Sequence, residues 1–376
     1  MFDQTGQSPN KNLLLAIMAL IAFGWIMSFS ASLGHFNSYS FAIKQGFYIG
    51  VGAFIGFFIL KTPISFYKKH ATKFFIAALV LLTLVFVPYI GAGKINGAHR
   101  WINVFGLFNF QPSEMMKLTM ILFMAGFLVR QEKSVTNSIS GIGKTLLIVG
   151  ASGALTMAET DLGATIIITL SAFSMLFIAG SYVKELFFAF GGLLTGLSIY
   201  VYLDPTRLER WLSFWINDLW GKEGVLQTRQ ALIGIARGDW TGTGLGAGIQ
   251  KYSRLPESHT DMIFAIIGEE IGIIGMFFVL FSFAYILGKG FNIAKEALKH
   301  GRKYSSYVAF GICSWFSMQT GVNIAMNLGL IPIKGFTLPL ISYGGSSMIF
   351  SIIALAIILR IDMENRASYN KQRHYV

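Results

Sequence analysis

Apolar runs long enough to cross a bilayer, separated by polar links, recur from one end of this 376-residue chain to the other. Ten such stretches occur, at about 13 to 33, 45 to 60, 74 to 90, 113 to 129, 145 to 158, 163 to 181, 185 to 203, 262 to 288, 305 to 330 and 340 to 360. A membrane-crossing helix takes about 20 mostly apolar residues. The pattern therefore predicts an all-α, polytopic membrane protein with ten transmembrane helices. The whole chain, 1–376, reads as one transmembrane domain that includes a long polar segment, 204–261, between the seventh and eighth helices. The first apolar stretch follows a polar head, Met1 to Asn12, without a small-residue cleavage site, so it is expected to be a retained span.

Composition agrees with this pattern. Hydrophobic residues make up 54% of the chain and charged ones 13%, whereas an ordinary globular domain carries roughly 25% charge. The net charge of +12 raises the question of nucleic acid, but Lys and Arg gather in alternate short links, the signature of cytoplasmic loops. With ten crossings and the N-terminus inside, Lys61, Lys68, Lys69 and Lys73 fall in the cytoplasm. So do Arg130, Lys133 and Lys144, the basic 289 to 303 link, and the tail with Arg366, Lys371 and Arg373. Both termini are then cytoplasmic, and no nucleic-acid partner is expected. The short stretch at 145 to 158 decides this topology, because without it the basic 289 to 303 link would face outward. The single cysteine, Cys313, has no intrachain partner and says nothing about compartment.

The outer face then carries 34 to 44, 91 to 112, 159 to 162, 204 to 261 and 331 to 339. The segment from 204 to 261 is too polar to span and too long for a simple turn, and connections of that length are usually functional or disordered. Trp211, Phe214, Trp215, Trp220 and Trp240 favour order, as amphipathic anchors suited to the headgroup layer. Arg207, Arg210, Lys222, Arg229, Arg237, Lys251 and Arg254 form a positive set suited to an anionic headgroup, since arginine offers a planar fork of donors and lysine a compact charge. The segment closes on Pro256-Glu257-Ser258-His259-Thr260-Asp261 and enters an apolar run that holds Glu269 and Glu270 two turns further in. A carboxylate at the membrane edge is costly to desolvate and reads as functional by default. Asp261 is the leading candidate on that ground; the competing reading is a helix N-cap, a position that favours Asp.

Four stretches, in order along the chain, carry a family resemblance. They are Asn96-Gly97-Ala98-His99-Arg100-Trp101, then Phe110-Gln111-Pro112-Ser113-Glu114-Met115-Met116-Lys117, then Pro256 to Glu270, then the run from Lys334 to Ser347. Together they resemble the SEDS family of bacterial peptidoglycan glycosyltransferases, which includes FtsW, RodA and SpoVE types. The Lys334-Gly335-Phe336-Thr337-Leu338-Pro339 version of the last motif is more similar to the division (FtsW) type than to the elongation (RodA) type.

The resemblance implies a fold of this polytopic kind and a polymerase of lipid II, a disaccharide-pentapeptide carried on undecaprenyl pyrophosphate. The GlcNAc 4-hydroxyl of lipid II attacks the anomeric carbon of the lipid-linked strand's terminal MurNAc, inverting the α linkage to β-1,4. Such chemistry needs a base for the hydroxyl proton and cations for the departing pyrophosphate. The resemblance also implies a class B penicillin-binding protein transpeptidase as partner, further division proteins, and a place in the bacterial inner membrane at the septum. Alternative readings are an elongation polymerase, a lipid II flippase, which needs no base, and a non-catalytic scaffold.

On this resemblance Asp261 matches the essential aspartate and takes the base role, with His259 as the alternative base. Arg100, beside Trp101, suits pyrophosphate contact, or an interfacial anchor. Lys94, Arg210, Arg237, Lys251 and Lys334 join it as expected substrate ligands, and the amides of Gln227 and Gln230 suit sugar hydroxyls. Ser342 opens a run of small residues suited to close helix packing or to anion binding. Glu114 and Lys117, three apart on a helix, are expected to pair. Glu269 and Glu270 are expected to cap a polar interior or to pair with Lys334 or another cation. Asp161 lies in Glu159-Thr160-Asp161-Leu162-Gly163, where the family usually has Gln-Pro before Asp-Leu-Gly, a departure that leaves only the second half of the motif intact. No cluster has metal-ligand spacing, so any divalent cation, Mg or Mn, is expected to come with the substrate pyrophosphate. The Gly242 to Gly246 run lacks the strand-to-helix context of a nucleotide loop.

Overall fold

The structure, a computed structural model, describes residues 7–36, 39–94, 98–104, 108–137, 139–215, 223–252 and 255–373. Helices α1 (Lys11–Phe36), α2 (Ser40–Lys61) and α3 (Ile64–Leu84) lead to a short antiparallel hairpin, β1 (Ile102–Val104) with β2 (Phe108–Phe110), in which Asn103 pairs with Asn109. There follow α4 (Pro112–Arg130), α5 (Glu132–Asn137), α6 (Ile139–Ala158), α7 (Leu162–Ile178) and α8 (Val183–Tyr202). The long polar segment holds α9 (Pro205–Trp215) and α10 (Glu223–Gly238), and α11 (Ile263–Lys299), α12 (Lys303–Asn327) and α13 (Gly345–Arg373) complete the chain.

Each of the ten apolar stretches overlaps a helix, although 74 to 90 runs on past the end of α3 at Leu84 and 340 to 360 begins before α13 at Gly345. Helices α1, α2, α4, α8, α11 and α13 are long and apolar enough to cross a membrane, and α6 and α7 contain shorter apolar helices. The protein is a polytopic helical membrane protein. Boundaries differ from the apolar pattern where helix outlasts hydrophobicity. Helix α3 starts at Ile64 rather than at 74, α11 runs to Lys299 and α13 to Arg373. Lysine, glutamate and arginine are good helix formers, and pairs such as Lys299 with Glu296 (2.8 Å) carry the helix on through polar sequence. The hairpin was not foreseen; its strands are three residues each, too short for period-two alternation to register.

Helix α4 is buried almost all round, flanked by α3, α7 and α12, while α13 packs along α2 and α11 along α12. By contrast α8 is peripheral, with Phe187 and Phe188 exposed as a lipid-facing helix requires. The long polar segment is fastened to α11 by the two adjacent acids. Glu269 accepts hydrogen bonds from the backbone N–H groups of Ile249 (2.9 Å) and Gln250 (3.1 Å) and from Arg237 (3.0 Å). Glu270 accepts from Lys251 Nζ (2.6 Å), Ser30 Oγ (2.5 Å) and Gly246 N–H (3.1 Å). The glycine run makes this approach possible: Gly242 has φ +79°, and a Cβ there would lie 2.2 Å from the Glu270 carbonyl oxygen. Gly272, at φ 73° and ψ −164°, breaks α11 at the same contact.

Candidate functional site

The N-terminal ends of α4, α7, α11 and α13 meet at one cavity of about 670 Å³, lined among others by Gln111, Asp161, Asp261 and Ser346. Helix N-termini present unsatisfied N–H groups and positive potential, so this end of the bundle suits an anionic ligand. The volume lies within the usual range for small-ligand sites.

Asp261 is held through its backbone. Asn323 Nδ2 and Asn327 Nδ2, one turn apart on α12, each donate to the Asp261 carbonyl oxygen at 2.9 Å. Asn327 Oδ1 accepts from the N–H of Ala265 (3.0 Å), which ties the first turn of α11 to the same pair. The Asp261 carboxylate itself faces the cavity and meets no hydrogen-bond donor among the described residues. It is not a helix cap, since Met262 occupies that position without a side-chain bond. Burial pushes the carboxyl up to about 7; Glu257 adds to the shift, Arg100 opposes it and Asp161 adds to it.

Asp161 is the opposite case. Its Oδ1 accepts from Ala164 N–H (3.1 Å), capping α7, and its Oδ2 accepts from Ser113 Oγ (2.8 Å) and Gln111 Nε2 (3.0 Å). Arg100 donates to the Thr160 carbonyl (2.6 Å) and leaves its buried Nε without a partner among the described residues. Lys117 Nζ pairs with Glu114 (2.8 Å) inside α4 and donates to Gln319 Oε1 (3.0 Å) on α12. Glu159, one residue before the left-handed Thr160 (φ 63°), is fully buried with neither carboxylate oxygen bonded among the described residues. Burial pushes its carboxyl up to about 9, with Asp161 adding and Arg100 opposing.

Of the residues anticipated from sequence, Asp261, Arg100, Asp161, Glu114 and Lys117 line this cavity together. Others lie elsewhere. Lys251 is wholly buried under Glu270, and Arg237 is paired with Glu269, so both fasten the long polar segment instead of lining the cavity; Lys334 is the partner of neither acid. Gln227 and Gln230 stand on α10, half-buried and off the cavity wall, and Lys94 is exposed before β1. His259 packs its ring on Phe41 (4.8 Å) and Tyr343 (5.7 Å), an arrangement that supports the loop. Ser342 is buried and donates to the Thr260 carbonyl (2.6 Å) while accepting from Leu338 N–H (2.7 Å), so it braces the Asp261 loop. Lys334 adjoins the lining residues Gly335, Phe336 and Thr337 without lining the cavity itself. Asn96, Gly97, Trp220, Lys222 and Arg254 lie outside the described residues, as do the side chains of Arg207, Arg210 and Trp215.

The sequence reading missed Lys44, Tyr48, Glu257 and Gln319 in the cavity wall. One signal was available. Gln319, Asn323 and Asn327 recur every four residues within an apolar stretch, which puts three amides on one helix face. Lys44 and Tyr48 follow the same spacing on α2, but nothing else in that part of the sequence singles them out.

Comparison with known proteins fits this arrangement. The family model described as "Cell cycle protein", for FtsW, RodA and SpoVE, matches residues 11–367. A protein of Francisella salina named probable peptidoglycan glycosyltransferase FtsW is 37% identical over 364 residues, covering 94% of this chain and 89% of its own. Among solved structures, a chain from a study titled "Structural coordination of polymerization and crosslinking by a peptidoglycan synthase complex" superposes with a TM-score of 0.78 at 23% identity, over 95% of this chain and 98% of its own. The rod shape determining protein RodA of Thermus thermophilus superposes with a TM-score of 0.71 at 24% identity, over 96% of this chain and 98% of its own. These two likenesses speak to the fold; the family model and the sequence identity speak to kinship. The chain belongs to the FtsW/RodA/SpoVE family.

Proposed function

We propose that this protein is an FtsW-type peptidoglycan glycosyltransferase that polymerises lipid II into β-1,4 glycan strands and releases undecaprenyl pyrophosphate. The observation that carries the reading is a carboxylate, Asp261, fixed by its main chain, free of donors at its oxygens among the described residues, and facing a cavity ringed by helix N-termini. A side chain held this way can accept a proton without breaking a bond that holds it in place. In the reaction Asp261 takes the proton of the attacking GlcNAc hydroxyl, and the anomeric carbon inverts as the diphosphate leaves. Arg100, with an Nε that has no partner among the described residues, and the helix N-termini meet the developing negative charge. A carboxyl pushed up to about 7 is a better base than an ordinary one, at the cost of being protonated below that pH.

A divalent ion, where one is used, enters as the counter-ion of the substrate diphosphate. Ten crossings with both termini cytoplasmic put the cavity on the outer side of the bacterial inner membrane, where lipid II is consumed. The FtsW names of the relatives favour the septum over the side wall. Likeness to a member of a complex that coordinates polymerisation with crosslinking supports a class B penicillin-binding protein as partner, together with other division proteins.

The test is polymerisation of labelled lipid II by the purified protein with its transpeptidase partner. Asp261→Asn should lower the rate by about 10² to 10⁴-fold, the usual contribution of a positioned base. The wild-type rate should rise with pH through about 7, because the working form is the unprotonated one. An Asp261→Asn protein that polymerises at the wild-type rate refutes the assignment. A flippase would keep lipid II transport in that variant.

A further inference from the structure

Glu257 lies one helical turn's length before Asp261 and lines the same cavity. Its backbone is left-handed, with φ 54°. That conformation is unfavourable for a residue with a Cβ, and such strain gathers where surrounding structure holds a group for a purpose. Here the holding bonds are explicit. The Glu257 carbonyl accepts from the N–H groups of Thr260 (3.2 Å) and Met262 (3.1 Å), closing a tight turn that brings residue 257 back over residue 261. Glu257 Oε2 accepts from Thr260 Oγ1 (2.7 Å), which fixes the side chain, and Oε1 has no partner. No cation pairs with Glu257 among the described residues. An exposed glutamate with no neutralising partner among the described residues, strained into place at the rim of a site suited to an anionic ligand, needs a reason to be there.

We propose that Glu257 is a positioning residue for Asp261: the left-handed turn sets a second carboxylate beside the reacting one, and its negative charge favours transfer of the substrate hydroxyl proton to Asp261. This rests on the reading of Asp261 as the base. Like charges in one site disfavour the ionised form of each, so a fixed neighbour strengthens the partner as a proton acceptor. The other groups around Asp261 do not substitute for it. Asp161 has its oxygens occupied by three donors, and Lys117 is taken up by Glu114. Arg100 acts in the opposite sense. From α2 the cavity receives Lys44 and the Tyr48 phenol, and from the link before α13 the Tyr343 phenol; α12 presents only neutral amides to the Asp261 loop. His259, on the same loop, packs against Phe41 and Tyr343.

The experiment titrates Asp261 directly and through the rate. Infrared difference spectra of the full-length protein, wild type minus Asp261→Asn, isolate the protonated carboxyl band of residue 261 as a function of pH. The same subtraction is made in the Glu257→Gln background, where the amide oxygen still accepts from Thr260. The band should disappear at lower pH in Glu257→Gln, by about half a pH unit or more, and the acid limb of the lipid II polymerisation profile should move with it. Glu257→Asp, which keeps the charge, should hold both near wild type. A titration that does not move in Glu257→Gln overturns this inference while leaving Asp261 as the base. A titration that moves while the rate profile stays fixed overturns the base reading, and with it the catalytic role of Glu257, but keeps the electrostatic pairing.

Discussion

Glu159 offers a prediction whose size can be worked from its surroundings. The residue is fully buried, both carboxylate oxygens lack partners among the described residues, and burial beside Asp161 pushes its carboxyl from 4.5 up to about 9 despite Arg100. The folded protein therefore keeps a proton that the unfolded chain releases. A carboxyl raised on folding stabilises the fold fully below its unfolded value, and that contribution is lost as pH climbs toward the folded value, at about 1.4 kcal/mol per unit. By pH 7.5 the deficit is of order 4 kcal/mol, three units above the ordinary value. Glu159→Gln is neutral at every pH and abolishes the slope. Burying an amide without partners brings a constant penalty of about 1–3 kcal/mol, so the difference between the proteins is read from its pH dependence. The measurement is thermal unfolding of the detergent-solubilised protein by tryptophan fluorescence between pH 5.5 and 8.5. The variant's Tm should gain on wild type with rising pH, by about 1–3 °C for each unit. Parallel Tm profiles would show that Glu159 is already ionised or solvated in the folded protein, and the reasoning would fail.

Two further outcomes follow from the same bonds. Lys117→Met leaves Glu114 charged and alone inside α4, which should cost about 3–5 kcal/mol and most of the monodisperse yield; Glu114→Gln with Lys117→Met should restore yield but not lipid II polymerisation, and recovery of both would make the pair purely structural. Asn327→Ala removes one of the two bonds to the Asp261 carbonyl and the acceptor for Ala265 N–H; the rate should fall by about 10²-fold, as for a displacement of about 1 Å, with the acid limb of the pH profile unmoved. A displaced limb would mean that the asparagine acts on charge and not on position.

Much of the fold was legible because membrane helices are written as uninterrupted apolar length. All ten apolar stretches overlap helices, and the Glu114 and Lys117 pair followed from helical spacing alone. Legibility failed where sequence neighbours answer to distant partners. Lys251 and Arg237 read as headgroup ligands because they stood in a basic outer segment, yet Glu269 and Glu270, some twenty or thirty residues on, had already claimed them. The sequence places charges along a line; only the Gly242 and Gly272 contacts reveal that the segment folds back onto α11. Ser342 belongs to the same class. It looked suited to an anion, but its hydroxyl is spent between the Leu338 N–H and the Thr260 carbonyl.

The distribution of hydrogen bonds separates groups that hold the site from groups that react in it. Asp161 and Asp261 both stand near helix N-termini in the wall of one cavity, and the hydrogen bonds bear on the preference for Asp261 that the sequence already suggests. Asp161 spends its carboxylate on Ala164, Ser113 and Gln111, so accepting a proton would weaken the cap of α7 and its tie to α4. Asp261 takes its support from Asn323 and Asn327 at the main-chain carbonyl, and that support is indifferent to the charge on the side chain. Asn323 also donates to the Phe336 carbonyl, which links the loop carrying Asp261 to the link before α13. On that link Gly335 stands at φ +64°, where a Cβ would come within 3.4 Å of Asp261 Oδ2. A base that must gain and lose a proton in each cycle belongs where its protonation state moves nothing else, and of the two aspartates only Asp261 is held that way.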